Sequence, residues 1–246
     1  RSVQSMVSTM RHLMEDILRQ EEEKRRSELD VLQSQINPHF LYNTLDSVVW
    51  MTENGRTQEA VAMLTALARF FRISLSKGSS IIPIGDELEH ARNYLAIQKM
   101  RYKNKFFADI SVEQGVERLY TVKLIIQPIL ENAIYHGMEY ADGDGEIHIR
   151  ASREGENMVI EVEDNGPGMP EQVVEQLLNP GISVSAARPG GSGIGLRNVH
   201  QRIQLTFGPA YGLTIRSEPD SGTVVRICLP ALGENEVRKY RREGEA

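Results

Sequence analysis

"QPILENAIYHG", residues 127–137, places a glutamate, an asparagine and a histidine on a stretch that is otherwise mostly apolar. The spacing predicts a helix from about Thr121 to Gly137, with Glu131, Asn132 and His136 among its polar side chains. An asparagine on such a face is either a structural hydrogen-bonding group or a ligand for Mg²⁺, which takes few protein oxygens and keeps phosphate and water as its other ligands. The neighbouring segments bear on that choice.

Downstream, "EIHIRASREGENMVIEVEDNG" (146–166) alternates apolar and polar residues around a Gly-Glu-Asn turn and predicts a β-hairpin. It runs into "DNGPGM" (164–169), which on its own is ordinary turn chemistry. Next comes "GGSGIGL" (190–196), whose glycines let backbone approach a ligand and which opens a helix predicted over about 194–206. The N–H groups at the start of such a helix can hold phosphate. The pattern is G-x-G-x-G with no strand immediately before it, so a dinucleotide fold is excluded. A phosphate-binding P-loop and the H-R-D and D-F-G set of protein kinases are also absent. Further strands are expected at 106–112, 211–217 and 223–229, and a helix from about Asp86 to Arg101. Helices and strands that do not alternate strictly predict an α+β domain with a mixed, mainly antiparallel sheet.

Upstream, helices are predicted at 38–53 and 57–76, broken by Asn54 and Gly55. Phe40, Leu41, Leu45, Val48, Val49, Val61, Leu64, Leu67 and Phe71 would pair them as a hairpin, with Trp50 in the same core. Two helices bury too little to stand alone, so two copies are expected to complete a four-helix bundle. Before them, Val3, Met6, Met10, Leu13 and Ile17 repeat as a coiled-coil seam. The seam lapses over 19–28 and resumes at Leu29, Leu32 and Ile36 in a shifted register. Residues 1–34 are therefore either a solvated charged helix or a rod whose register carries a signal.

Composition narrows the function classes. The 246 residues are 40% hydrophobic with a net charge of −6, enough for a core and without the basic field that grips nucleic acid. The lone cysteine, Cys228, allows no internal disulfide and no cysteine-based zinc site. No apolar run approaches a membrane span, and no signal peptide is visible. The chain opens at Arg1 in mid-periodicity and is expected to be the soluble part of a longer protein.

"QPILENAIYHG", "DNGPGM" and "GIGLRNVHQRIQLTFG" (193–208) resemble, in order and spacing, the nucleotide-binding boxes of the histidine-kinase, gyrase, Hsp90 and MutL ATPase superfamily. With "QINPHFLYNTL" (35–45) and "ELEHARNYLAIQKMRY" (87–102) the chain resembles, from about Glu28 to Pro230, a sensor histidine kinase of the LytS/YesM type.

That resemblance implies a division into the end of a HAMP signalling helix (1–34), a dimerising phosphotransfer hairpin (35–80), an α/β-sandwich ATP-binding domain (81–232) and a tail (233–246), solvated or briefly helical. It implies a homodimer that uses ATP and Mg²⁺ to phosphorylate His39 and passes the phosphoryl group to a response-regulator aspartate. It would be the cytoplasmic portion of a bacterial plasma-membrane receptor, joined to the membrane only through an N-terminal part outside this chain. The alternative on the same fold is a non-kinase ATP-binding scaffold or anti-sigma-like regulator, which would lack the "NPHFLYN" hairpin.

By the same resemblance Asn132 would ligate Mg²⁺, Asp164 would accept the adenine amino group, and Gly166 and Gly168 would make room for the base. His136, Met169, Ile194 and Leu196 would complete the nucleotide pocket, Gly191, Gly193 and Gly195 its phosphate end, and residues 170–192 a mobile lid. Asn43, one helical turn after His39, matches the last position of the family's H-[DE]-x-x-[NT] motif and is the candidate for orienting water in regulator dephosphorylation.

The sequence departs from better-known relatives at four points. Phe40 follows His39 where an acidic base is common, so Glu131 is the candidate base. Pro128 stands where gyrase-like enzymes have a water-activating glutamate, so rapid ATP hydrolysis is not expected. Tyr135 replaces a phosphate-binding lysine, leaving Arg188 or Arg197 to supply positive charge, and the lid shows no aromatic box. Pro38, which cannot donate a backbone N–H, either kinks one long helix just before His39 or starts a new one capped by Asn37. His12, His90, His148 and His200 show no metal-ligand spacing and are expected to pack or face solvent.

Overall fold

A computed structural model describes residues 38–74, 80–103, 105–138, 144–178 and 194–243. The expectations for a rod over 1–34, for a kink at Pro38 and for most of the lid fall outside these residues.

Two amphipathic segments fold back on each other as α1 (Pro38–Glu53) and α2 (Thr57–Ser74). Gly55, at φ 71°, makes the turn between them, and Arg56 pairs with Glu59 to brace its exit. Phe40, Met51, Met63, Leu67 and Phe70 are buried. Leu45, Val49, Trp50, Val61 and Leu64 are 40–57% exposed. Trp50 is thus not core in the single chain: Arg56 and Lys103 lie over its ring at 5.4 and 5.8 Å.

β1 (Ile81–Pro83) leads directly into α3 (Ile84–Arg101), which is buried on nearly every side through Leu88, Ala91, Tyr94, Leu95 and Ile97. Its buried surface also includes the polar groups Glu87, His90, Asn93 and Gln98, so the helix is packed from several directions. The hairpin packs on α3 on one side and the sheet domain on the other, so one continuous core runs from Phe40 to Leu229.

The sheet has the order β2 (Phe106–Val112), β4 (Gly145–Glu154), β5 (Asn157–Asp164), β7 (Thr223–Pro230), β6 (Gly212–Ser217). β2 pairs parallel with β4, and every other pairing is antiparallel. Alternate residues Ile147, Ile149, Met158, Ile160, Val162, Val225 and Ile227 enter the core beneath the helices. The opposite face carries Arg226 paired with Glu161 and Arg150 paired with Glu163, so it is a solvated surface. The result is a two-layer α+β sandwich with a mixed, mainly antiparallel sheet.

Three local readings change. Residues 120–122 are not helix: β3 (Tyr120–Val122) pairs antiparallel with β1, and α4 begins only at Gln127, running to Asn132 and continuing through Met138 as wider π-type turns. Pro128 sits in its first turn, where a missing N–H costs nothing. Within the expected lid, α5 (Glu171–Leu178) is regular helix, and α6 follows at Ile194–Phe207. The tail forms α7 (Glu234–Glu243), and Val237 joins the core, which a wholly solvated tail would not allow. Among the described residues, no helix is long and apolar enough to cross a membrane.

Candidate functional site

β5 ends at Asp164, whose carboxylate accepts the Gly166 N–H at 2.9 Å and a backbone hydrogen bond from Thr223. Burial pushes this carboxyl up to about 6, against those two stabilising bonds. A partly buried carboxylate raised that far is an acceptor waiting for a donor.

The turn after it is held tightly. Asn165 locks onto the start of β4, accepting the Glu146 N–H at 2.7 Å and donating to the Asp144 carbonyl at 2.8 Å. Ser217 accepts the Met169 N–H at 2.8 Å and donates to the Gly222 carbonyl at 2.9 Å. Gly168 has φ 64°, and a Cβ there would meet the Glu218 carbonyl at 1.9 Å. The "DNGPGM" segment is therefore fastened to the β6–β7 turn, which is more than hairpin chemistry requires.

α4 closes the other side. A Cβ on Gly166 would lie 2.6 Å from the Gly137 Cα and 2.8 Å from Asp164 Oδ1. The end of the "QPILENAIYHG" helix and the "DNG" turn thus meet backbone to backbone, and only glycines permit it. One turn back, Asn132 is partly buried, and among the described residues none hydrogen-bonds its amide. One free amide oxygen suits Mg²⁺, which needs only one or two protein ligands beside phosphate. Glu131 is partly buried, accepts the Gln127 amide at 2.8 Å, and has its carboxyl raised by burial.

α6 begins against α4: a Cβ on Gly195 would meet the Pro128 Cβ at 3.3 Å. The Leu196 side chain is 2% exposed and packs in the core. Arg197 donates to the Gln176 carbonyl of α5 at 3.0 Å, and its buried Nε has no partner among the described residues. In this conformation it ties α5 to α6. Arg188, Gly191, Gly193 and the side chains of His136 and Ile194 lie outside what the structure describes.

His39 is exposed on the first turn of α1. Asn43 Nδ2 lies 3.2 Å from His39 Nδ1 and 3.1 Å from Nε2, so the two side chains share one face in contact. Phe40, the next residue, is buried against Phe70 and Tyr94, at ring centroids of 5.1 and 5.3 Å. Tyr94 accepts a hydrogen bond from Gln98 at 2.7 Å, and its phenol is raised, first by burial and then by the nearby Glu131 charge. Tyr94 therefore stands between the hairpin and α4.

His90 stacks on Phe70 at 4.2 Å and bonds Ser74 at 2.7 Å, while burial lowers it to about 4. His200 accepts the Leu213 N–H at 2.9 Å, and His148 bonds Asp109 and Glu146. These three histidines pack or pair within the fold, as their spacing suggested. Sequence reading missed Asn165, Ser217 and Gly222, which hold the Asp164 turn; the "EPDSG" that follows Ser217 was legible only as a turn.

A strand ending in a shielded aspartate, glycines that bring a helix end onto it, and a helix bearing an exposed histidine share one core, a helix-and-sheet sandwich joined to a helical hairpin. Comparison with known proteins agrees. The family model described as "Histidine kinase" matches residues 27–106, and "Histidine kinase-, DNA gyrase B-, and HSP90-like ATPase" matches 120–233. The sensor histidine kinase YesM of Bacillus subtilis is 35% identical over 93% of this chain and 38% of its own length. The sensor histidine kinase BtsS of Escherichia coli is 32% identical over 83% of this chain and 34% of its own, and the sensor protein LytS of Bacillus anthracis 32% over 85% and 35%. The chain belongs to the histidine kinase family, of the LytS/YesM type. It spans little more than a third of the length of these relatives.

Proposed function

We propose that this chain is the kinase core of a two-component sensor, which phosphorylates His39 from ATP and transfers the phosphoryl group to an aspartate of a response-regulator receiver domain. The observation that carries the reading is the shared scaffold: Phe40, next to His39, is buried on Tyr94 of α3, and Tyr94 in turn lies beside Glu131 of α4.

The bound nucleotide supplies the γ-phosphoryl group, and Mg²⁺ its charge neutralisation. Asp164 accepts the adenine amino group beside the turn that Gly137, Gly166 and Gly168 allow to close backbone on backbone. Asn132 would hold the metal. Met169, with its N–H fixed by Ser217, lines the pocket. A ring nitrogen of His39 attacks the γ-phosphorus, the N–P bond forms as the bond to ADP breaks, and the imidazole proton passes to a base. Glu131 suits that task because burial raises its proton affinity. Pro128 supplies no acid–base group at the position where gyrase-like enzymes have a water-activating glutamate.

The exposed stripe of Leu45, Val49, Val61 and Leu64 supports a homodimer in which two hairpins form a four-helix bundle. A groove lined by Val61, Leu64, Thr65, Ala68, Arg69 and Arg72 continues that stripe along α2.

Calorimetry with ADP tests the nucleotide site. Asp164→Asn should weaken binding with or without Mg²⁺, by about 1.5–3 kcal/mol for a charge-assisted hydrogen bond. Asn132→Ala should remove only the Mg²⁺-dependent part. Equal losses in EDTA would overturn the metal role of Asn132.

A further inference from the structure

Glu87 is a fully buried carboxylate in the first turn of α3. It accepts three successive backbone N–H groups, from Leu124 at 2.8 Å, Ile125 at 2.7 Å and Ile126 at 2.9 Å. These N–H groups lead into α4, and N–H groups at the start of a helix have no intrahelical acceptor. Leu124 has φ 58°, a left-handed conformation that a β-carbon disfavours. The bend it makes turns three N–H groups toward one point, a backbone concavity of the kind that binds anions, filled here from within the protein.

A second helix engages the same loop. Arg202 of α6 donates to the Leu124 carbonyl at 2.7 Å, and its charge acts on Glu87. Two turns earlier on α6, Gly195 abuts Pro128 of α4. The glycine-motif helix therefore meets the Asn132 helix at Pro128 and the loop before it at Leu124, and Glu87 holds that loop.

We propose that Glu87 is a positioning residue for the nucleotide site, fixing α4, and with it Asn132, against α6 through the Leu124–Ile126 loop and Arg202. The inference rests on the nucleotide-site reading above. Burying a carboxylate is costly unless its partners are complete, and an apolar side chain would pack α3 as well. What the carboxylate adds is a fixed direction for the loop. Because α3 also carries Tyr94 and His90 against the hairpin, the same helix packs on Phe40, the neighbour of His39, and through Glu87 on the loop that leads into the Asn132 helix.

The test uses the 246-residue chain, ADP as probe, and temperatures well below the melting transition. Glu87→Gln should weaken ADP binding about tenfold in Mg²⁺ and less than twofold in EDTA, because the Asp164 pocket is built on the sheet. Arg202→Gln, which leaves the carboxylate in place, should show the same Mg²⁺-selective loss to a smaller degree, and serves if Glu87→Gln does not fold. Parental affinity in Mg²⁺ for a folded variant, or equal losses in both conditions, overturns the proposal. A parent chain that binds no ADP in either condition sinks the nucleotide-site reading and this inference with it. A parent that binds while both variants bind as well sinks the inference alone.

Discussion

Phe40 and Tyr94 pack ring on ring at 5.3 Å, joining the residue beside His39 to the helix at the centre of the molecule. Both are at most 2% exposed. Phe40→Ala opens a cavity in that joint and should cost about 3–5 kcal/mol of stability. Tyr94→Phe keeps the ring but removes the oxygen that accepts from Gln98, leaving a buried amide unpaired at a cost of about 1–3 kcal/mol. Urea unfolding that finds either variant as stable as the parent contradicts this packing.

Asp164 gives a pH dependence with a definite sign. Its carboxyl is raised by burial to about 6 in the folded chain, against ~3.9 when unfolded, so the folded state binds the proton more tightly. Its contribution to stability is present below pH ~4 and is lost as pH rises through about 6. Asp164→Asn removes the ionisation, so at pH 8 the variant should be more stable than the parent by about 1–2 kcal/mol after solvent screening, the gap closing toward pH 4. ADP affinity of the parent should fall below pH 6, as the acceptor is protonated. A stability gap that does not vary with pH shows that Asp164 is not the titrating group.

The exposed apolar stripe predicts an oligomeric state. Val49→Glu or Leu64→Glu places a charge where the second copy is proposed to pack, and sedimentation should show dimer giving way to monomer with the helix content of each chain retained. A variant that sediments as the parent does would place the interface elsewhere.

Asn43 touches both ring nitrogens of His39 with one amide group. An amide can donate to and accept from water. Asn43→Ala should leave phosphorylation of His39 within about twofold and slow the loss of phosphate from a cognate receiver domain. Equal rates of dephosphorylation by variant and parent would make the contact merely structural.

Much of this fold was legible because its signals are local. The end of α1 follows from the Asn54–Gly55 turn, and the β4–β5 hairpin from strict alternation around Gly155. The "DNGPGM" turn stood out because its glycines serve approaches that no other residue permits, as Gly166 against Gly137 shows. What escaped was non-local. "YTVKLIIQPIL" is a mostly apolar run, in which strand and helix periodicity are hard to tell apart. Only pairing of Thr121 with Ile82 makes its start a strand, though Pro128 was an available sign of where the helix begins. Glu87 read as one more acid in a helix, since its three donors lie 37–39 residues away. Trp50 read as core because apolar residues usually are, yet the single chain leaves it half-exposed beside two cations.

The central claim is that His39 accepts the phosphoryl group, and labelling with γ-³²P-ATP in Mg²⁺ tests it most directly. The parent chain should take up label that is lost in acid and kept in alkali, as a phosphoramidate is, and His39→Ala should take up none while still binding ADP. Label that survives acid, or that enters His39→Ala as readily as the parent, would contradict the account.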